Sequence, residues 1–133
     1  MAQASDMYQA KILDHYKTPR NFGKLDPHDV EHAEDNPLCG DEVTIYLRLE
    51  GHTVRDVGFV GRGCAISQAS TSMLTDGIKG SSLEELLKMG KDDILALLGI
   101  PISPVRMKCA VLGLVAVQAG AAKRLGVAAP KFE

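Results

Sequence analysis

The sequence predicts an α+β fold, with strands early in the chain and helices after them. Two observations carry this expectation. Val43-Thr44-Ile45-Tyr46-Leu47-Arg48-Leu49 alternates with β-branched and aromatic content, Glu50-Gly51-His52 turns the chain, and Thr53 to Val60 returns it as the second strand of an antiparallel hairpin. From Cys64 onward, helix starts and stops recur in place of strand signals. Val43, Ile45, Leu47 and Leu49 share one face of the hairpin, and that face must be covered; the helices that follow are the available cover. With 133 residues, no repeat and no linker, residues 1–133 are expected to form a single domain around one core.

The elements follow in order. Residues 5–17 read as a helix with Tyr8, Ile12 and Tyr16 one turn apart on its apolar face, stopped by Pro19. Residues 20–35 are turn-like, with a short edge strand over 28–33. Pro37 bars a helix and Gly40 permits a bend, so Asn36-Pro37-Leu38-Cys39-Gly40-Asp41 is expected as a loop carrying Cys39 and Asp41. After the hairpin, Gly61-Arg62-Gly63 bends the chain into a helix over 64–79, with Ile66, Ala69, Met73 and Gly77 as its stripe and Gly80 as its stop. Ser82 to Glu85 is a capping-box pattern opening a short helix. Asp92 is expected to cap another that ends at Gly99. Ser103-Pro104 is an N-cap with proline at the first helical position, so the last helix runs over 104–125, apolar on every side from Ala110 to Val117 and therefore buried.

Composition excludes several classes. Fifteen basic against seventeen acidic residues give a net charge of -2, without the cationic excess that would neutralise phosphates, so nucleic acid is not an expected partner. The longest apolar run, Cys109 to Val117, is far short of the roughly 20 residues that span a bilayer, so no membrane is expected. The N-terminus lacks the apolar stretch of a secretory signal, and the expected location is cytoplasmic. Reduced thiols are the default there, and three cysteines cannot all pair within one chain.

The chemistry is expected at those thiols. Cys39 and Asp41 flank a glycine, Cys64 follows the Gly61-Arg62-Gly63 bend, and Cys109 lies near the start of the last helix. Unpaired amides at helix N-termini stabilise thiolates, the form that binds metal or attacks sulfur. Arg62 near Cys64, and Arg106 and Lys108 near Cys109, add positive charge in the same sense. Three thiols and a carboxylate make a four-ligand set suited to zinc or an iron-sulfur cluster. The carboxylate, as a harder ligand than a fourth thiolate, holds iron less firmly. His28 and His32 are rival ligands, ranked below Asp41. A phosphate-binding reading of Gly61-Arg62-Gly63 fails because Ile66 occupies the third-glycine position and no Walker lysine follows. A Cys-His hydrolase is unsupported, since nothing orients a histidine toward a given cysteine.

Asp14-His15-Tyr16, Pro19-Arg20-Asn21-Phe22-Gly23, Asn36-Pro37-Leu38-Cys39-Gly40-Asp41, Gly63-Cys64-Ala65-Ile66-Ser67 and Pro104-Val105-Arg106-Met107-Lys108-Cys109 together resemble the iron-sulfur cluster assembly scaffolds of the IscU, SufU and NifU N-terminal type. The resemblance implies a three-stranded antiparallel sheet with helices over one face. It implies that Cys39, Asp41, Cys64 and Cys109 converge on a zinc ion or a labile [2Fe-2S] cluster. It further implies a cysteine desulfurase as sulfur donor, Cys39 or Cys109 as persulfide acceptor, and recipient apo-proteins or cluster carriers. Lys108 stands where IscU-type members have histidine, as in SufU-type members. The run from Gly80 to Pro104 lacks the insertion usual in the latter. A scaffold is the leading implication and a zinc-dependent sulfurtransferase the alternative. Ile102-Ser103-Pro104-Val105-Arg106 matches only in part the segment an Hsp70-type chaperone grips in IscU proteins, so that partner is not expected.

Overall fold

The computed structural model describes residues 4–37 and 40–130, the first five of these as backbone only. Helix α1 spans Ala4–Lys17, followed by strands β1 (Val30–Asn36), β2 (Asp41–Glu50) and β3 (Thr53–Arg62). Helices α2 (Ala65–Ile78), α3 (Leu83–Lys88), α4 (Lys91–Leu98) and α5 (Pro104–Leu125) complete the order. The strands form one antiparallel sheet, β1-β2-β3, as the resemblance implies.

Register explains the core. Val30 pairs with Leu47, His32 with Ile45 and Asn36 with Asp41, while Ile45 meets Phe59 and Leu47 meets Val57. Directly opposed residues share a face. Val43, Ile45 and Leu47 are thus buried together, as the alternation predicts, with Asp41 beside them, whereas Leu49, past the register shift at Arg48/Leu49, is only half-buried; α5 lies across that face. On the other face Tyr46 is also buried, with the His28 ring edge-on at 5.1 Å. Strand β1 lies two residues later than the expected edge strand at its start and three at its end, because pairing with β2 decides its limits.

The two core helices are of opposite chemistry. Cys109 to Leu114, Ala116 and Val117 of α5 are buried, as expected of an all-apolar segment. By length and composition α5 is also apolar enough to cross a membrane, but 67% of its most apolar window is buried in the fold, which is the environment of a core helix. In α2 the predicted stripe is too narrow: burial is continuous from Ser67 to Thr75, taking in Ser67, Gln68, Ser70, Thr71, Ser72 and Thr75, while Gly77 is exposed. Hydroxyls reach back to carbonyls one turn earlier, Thr71 to Ser67 at 2.8 Å and Thr75 to Ser72 at 2.8 Å, so these polar residues enter the core already hydrogen-bonded. Small side chains let the helices approach closely; a Cβ on Gly113 of α5 would lie 2.5 Å from Thr71 Oγ1.

Local signals set the other helix ends. The capping box at Ser82 and Glu85 is formed in both directions. At α4 the cap is Gly90, whose amide donates to Asp93 at 2.8 Å, rather than Asp92. Ser103 caps α5 as expected.

Helix α1 docks on α2 through Ile12 and His15, not through Tyr16, which is 45% exposed. The side chain of Tyr8 lies outside the described residues. His15 Nδ1 lies 2.7 Å from Ser72 Oγ, which also accepts the Arg20 amide at 2.8 Å. Burial, with Arg20 and Lys11 adding to it, holds the His15 imidazole below its ordinary 6.5. The unfolded chain therefore binds the proton more readily, so stability is full above the ordinary value and falls as pH drops toward the folded one. Thermal melts between about pH 7.5 and pH 5.5 are expected to show a falling Tm, with the slope reduced in His15→Gln. Equal slopes in the two proteins would remove His15 as the cause.

Candidate metal centre

Asp41 is the first residue of β2 and not part of a loop, a correction forced by its pairing with Asn36. Gly40, at φ 72°, donates to the Asn36 carbonyl at 2.8 Å and brings the chain back into the sheet. The Asp41 carboxylate is 1% exposed, and its two oxygens have separate tasks. Oδ1 accepts the Cys64 amide at 3.0 Å, and Oδ2 lies 3.8 Å from Cys64 Sγ. A strand at one end of the sheet thereby fixes the start of α2. Cys64 is the N-cap of that helix, with extended backbone, and is half-buried.

Gly63 makes this possible. Its φ is +158°, and a Cβ there would sit 2.4 Å from Asp41 Oδ1 and 2.7 Å from Ser67 Oγ. The sequence marks Gly63 only as a bend; the space it leaves for the carboxylate depends on contacts 22 residues apart and has no local signal. Ser67, buried and donating to the Cys64 carbonyl at 3.2 Å, was likewise absent from the candidates. A serine three residues past the cap is the one trace of it in the sequence.

Cys109 arrives from α5. It lies five residues beyond Pro104, past the first turn, so the helix dipole acts on it more weakly than its nearness to the start of the helix suggests. It is 2% exposed. One ligand atom each from Asp41, Cys64 and Cys109 lies within 4.8 Å of the others, and among the described residues no other group of three metal-ligating side chains comes together. Zinc–sulfur bonds of about 2.3 Å place tetrahedral ligand atoms roughly 3.8 Å apart, so this donor set fits a single ion or an iron-sulfur cluster with small side-chain adjustments. Cys39 lies outside the described residues.

The supporting charges divide. Arg106, itself exposed, lines an open recess of about 250 Å³ with Cys64, Val105 and Cys109. Arg62 turns to solvent and meets Glu42 at 3.2 Å, an exposed pair. Lys108 is exposed. The histidine rivals are engaged elsewhere, His28 with the Leu25 carbonyl and Glu31, His32 with Glu34.

Comparison with known proteins matches the chain to one family. The model of the NifU-like N-terminal domain matches residues 7–128. The chain belongs to the NifU-like N-terminal domain family. It is 39% identical to the zinc-dependent sulfurtransferase SufU of Bacillus subtilis, covering 94% of this chain and 96% of that protein. That alignment runs over 142 positions, more than this chain has residues, so the relative carries residues that this member lacks. The iron-sulfur cluster assembly scaffold protein IscU of Streptococcus pyogenes is 33% identical over 84% of this chain and 80% of its own. Among solved structures, a protein of Fervidobacterium islandicum described as an iron-sulfur cluster assembly scaffold for the SUF system superposes with a TM-score of 0.76 at 27% identity, covering 90% of this chain and 99% of that one. The NifU-like N-terminal protein of Brucella abortus, at 22% identity and a TM-score of 0.74, shares the fold.

Proposed function

We propose that this NifU-N-type domain is an iron-sulfur cluster assembly scaffold and sulfur acceptor, holding a labile cluster through Asp41 Oδ2, Cys64 and Cys109, with Cys39 as fourth ligand. The observation that carries it is the convergence of a carboxylate and two thiols from three separate elements. The partners of this reading are a cysteine desulfurase and recipient apo-proteins or cluster carriers, in the cytoplasm.

Sulfur arrives by exchange at sulfur. An acceptor thiolate attacks the terminal sulfur of the desulfurase persulfide, the sulfur–sulfur bond breaks, and the desulfurase thiolate leaves; nothing is oxidised or reduced overall. Burial of Cys109 makes it a poor target for a partner's persulfide, which favours Cys39 as acceptor. Arg106 lines the same recess as Cys64 and Cys109.

Protein isolated without oxygen and incubated with iron, cysteine and a desulfurase is expected to develop the visible absorption of a cluster, and Cys64→Ser to lose it. Protein that stays colourless counts against the scaffold. A second reading, a zinc-dependent sulfurtransferase, is favoured by the near full-length similarity to the Bacillus subtilis protein and by Lys108. There zinc would stabilise the thiolates of the same residues, and Cys39 would relay the persulfide without a cluster. Stoichiometric zinc, with sulfur turnover abolished by Cys39→Ala, is the result that selects it.

A further inference from the structure

Cys64 and Cys109 are close in space but unequal in exposure. Their Sγ atoms lie within 4.8 Å of each other, on helices that run in near contact one turn beyond Cys109, where Gly113 meets Thr71. Both line the open recess, Cys64 half-buried and Cys109 only 2% exposed. A small oxidant entering that recess finds Cys64 the more accessible of the two thiols.

We propose that, when no metal is bound, Cys64 and Cys109 form a peroxide-driven disulfide switch, with Cys64 the attacking thiol and Cys109 the resolving one. The Cys64 thiolate attacks a peroxide oxygen, the oxygen–oxygen bond breaks, and hydroxide leaves, giving a sulfenic acid on Cys64. The Cys109 thiolate then attacks that sulfur, the sulfur–oxygen bond breaks, and a second hydroxide leaves. Both hydroxides take protons from the two thiols, so two thiols and one peroxide give one disulfide and two waters. Closing the gap to the roughly 2 Å of a disulfide moves the two Sγ atoms together by less than about 3 Å. Two of the proposed ligands are then lost together, and a reductant restores them. The pairing itself requires no metal; only the protection described below rests on the proposed metal site.

The test uses the full chain, freed of metal with a chelator and treated with equimolar hydrogen peroxide. Trypsin leaves Cys39, Cys64 and Cys109 in three different peptides, since Arg48, Arg62, Lys79, Lys108 and Lys123 separate them. Mass spectrometry is expected to find the Cys64 and Cys109 peptides joined within one chain, in wild-type protein and in Cys39→Ser. In Cys109→Ser the sulfenic acid is expected to accumulate on Cys64 and be trapped by a 1,3-dione. In Cys64→Ser the oxidation of Cys109 is expected to slow at least roughly tenfold, as its burial dictates. A disulfide through Cys39, a bond between chains, or undiminished Cys109 oxidation in Cys64→Ser would overturn the assignment. Zinc added beforehand is expected to block the cross-link. Protein that binds no zinc, yet cross-links as described, would refute the metal reading while upholding the switch.

Discussion

Asp41→Ala is expected to lower folding stability by about 1–3 kcal/mol, the cost of leaving a buried amide without its acceptor. The amide concerned is that of Cys64, which donates to Asp41 Oδ1 at 3.0 Å where the carboxylate is 1% exposed. Loss of that bond unties the start of α2 from β2, so the Cys64 thiol of metal-free protein should be alkylated faster. Asp41→Asn keeps a carbonyl oxygen for the amide and is expected to recover most of the stability, though not the charge. Cluster retention is expected to move the other way. A carboxylate exchanges with incoming ligands more readily than a thiolate does; with release starting at that bond, the alanine variant, which lacks it, should release a bound cluster more slowly. Denaturant titration, alkylation kinetics and the decay of visible absorption measure the three effects separately. Alanine and asparagine variants of equal stability would show that Oδ1 anchors nothing, and faster cluster loss would show that the carboxylate is not the labile ligand.

Gly63→Ala is expected to be worse for the site. Its Cβ would collide with the Asp41 carboxylate and the Ser67 hydroxyl together, and its φ of +158° is one that side-chain-bearing residues rarely adopt. Neither neighbour is the loose end of a long side chain: Asp41 is held by the Cys64 amide and Ser67 lies in α2. A loss of roughly 2–4 kcal/mol in denaturant titration is expected, with zinc or cluster binding weakened alongside. Gly77→Ala, near the far end of α2, is the control, because a Cβ there meets nothing within 4 Å; its effect should stay within about 1 kcal/mol and favour the folded state. Similar losses at both glycines would mean that the helix, and not the crowding around Asp41, decides the cost.

Much of the fold is written locally. The β2–β3 hairpin is legible because alternation over seven residues names both the strand and its buried face, and β3 carries only two residues beyond the expected end. The box at Ser82 and Glu85 and the start of α5 at Ser103-Pro104 are legible because capping needs only residues within one turn. Burial of α1 and α2 is less legible in the sequence. On α1, His15 takes the inward place expected for Tyr16, since Ser72 offers it a hydrogen bond and a hydroxyl on another helix leaves no mark near residue 15. On α2 the serines and threonines look solvated in sequence, yet Thr71 and Thr75 bond to their own helix and Ser72 to His15 and Arg20, and so they lose little on burial.

The site divides in the same manner. Residue types alone named Asp41, Cys64 and Cys109 as candidates, because thiol and carboxylate are ligands wherever they stand, and the family motifs around them are contiguous. Position needed the fold. Asp41 became a strand residue only by pairing with Asn36, Arg62 was drawn away to Glu42, and Gly63 acquired its second purpose from a carboxylate 22 residues earlier. A sequence dictates what each group can bind and how its neighbours bend, since those are properties of single residues and short stretches. Which groups share one ion, and which thiol faces the solvent, follow from distances between elements far apart in the chain, and packing alone sets those.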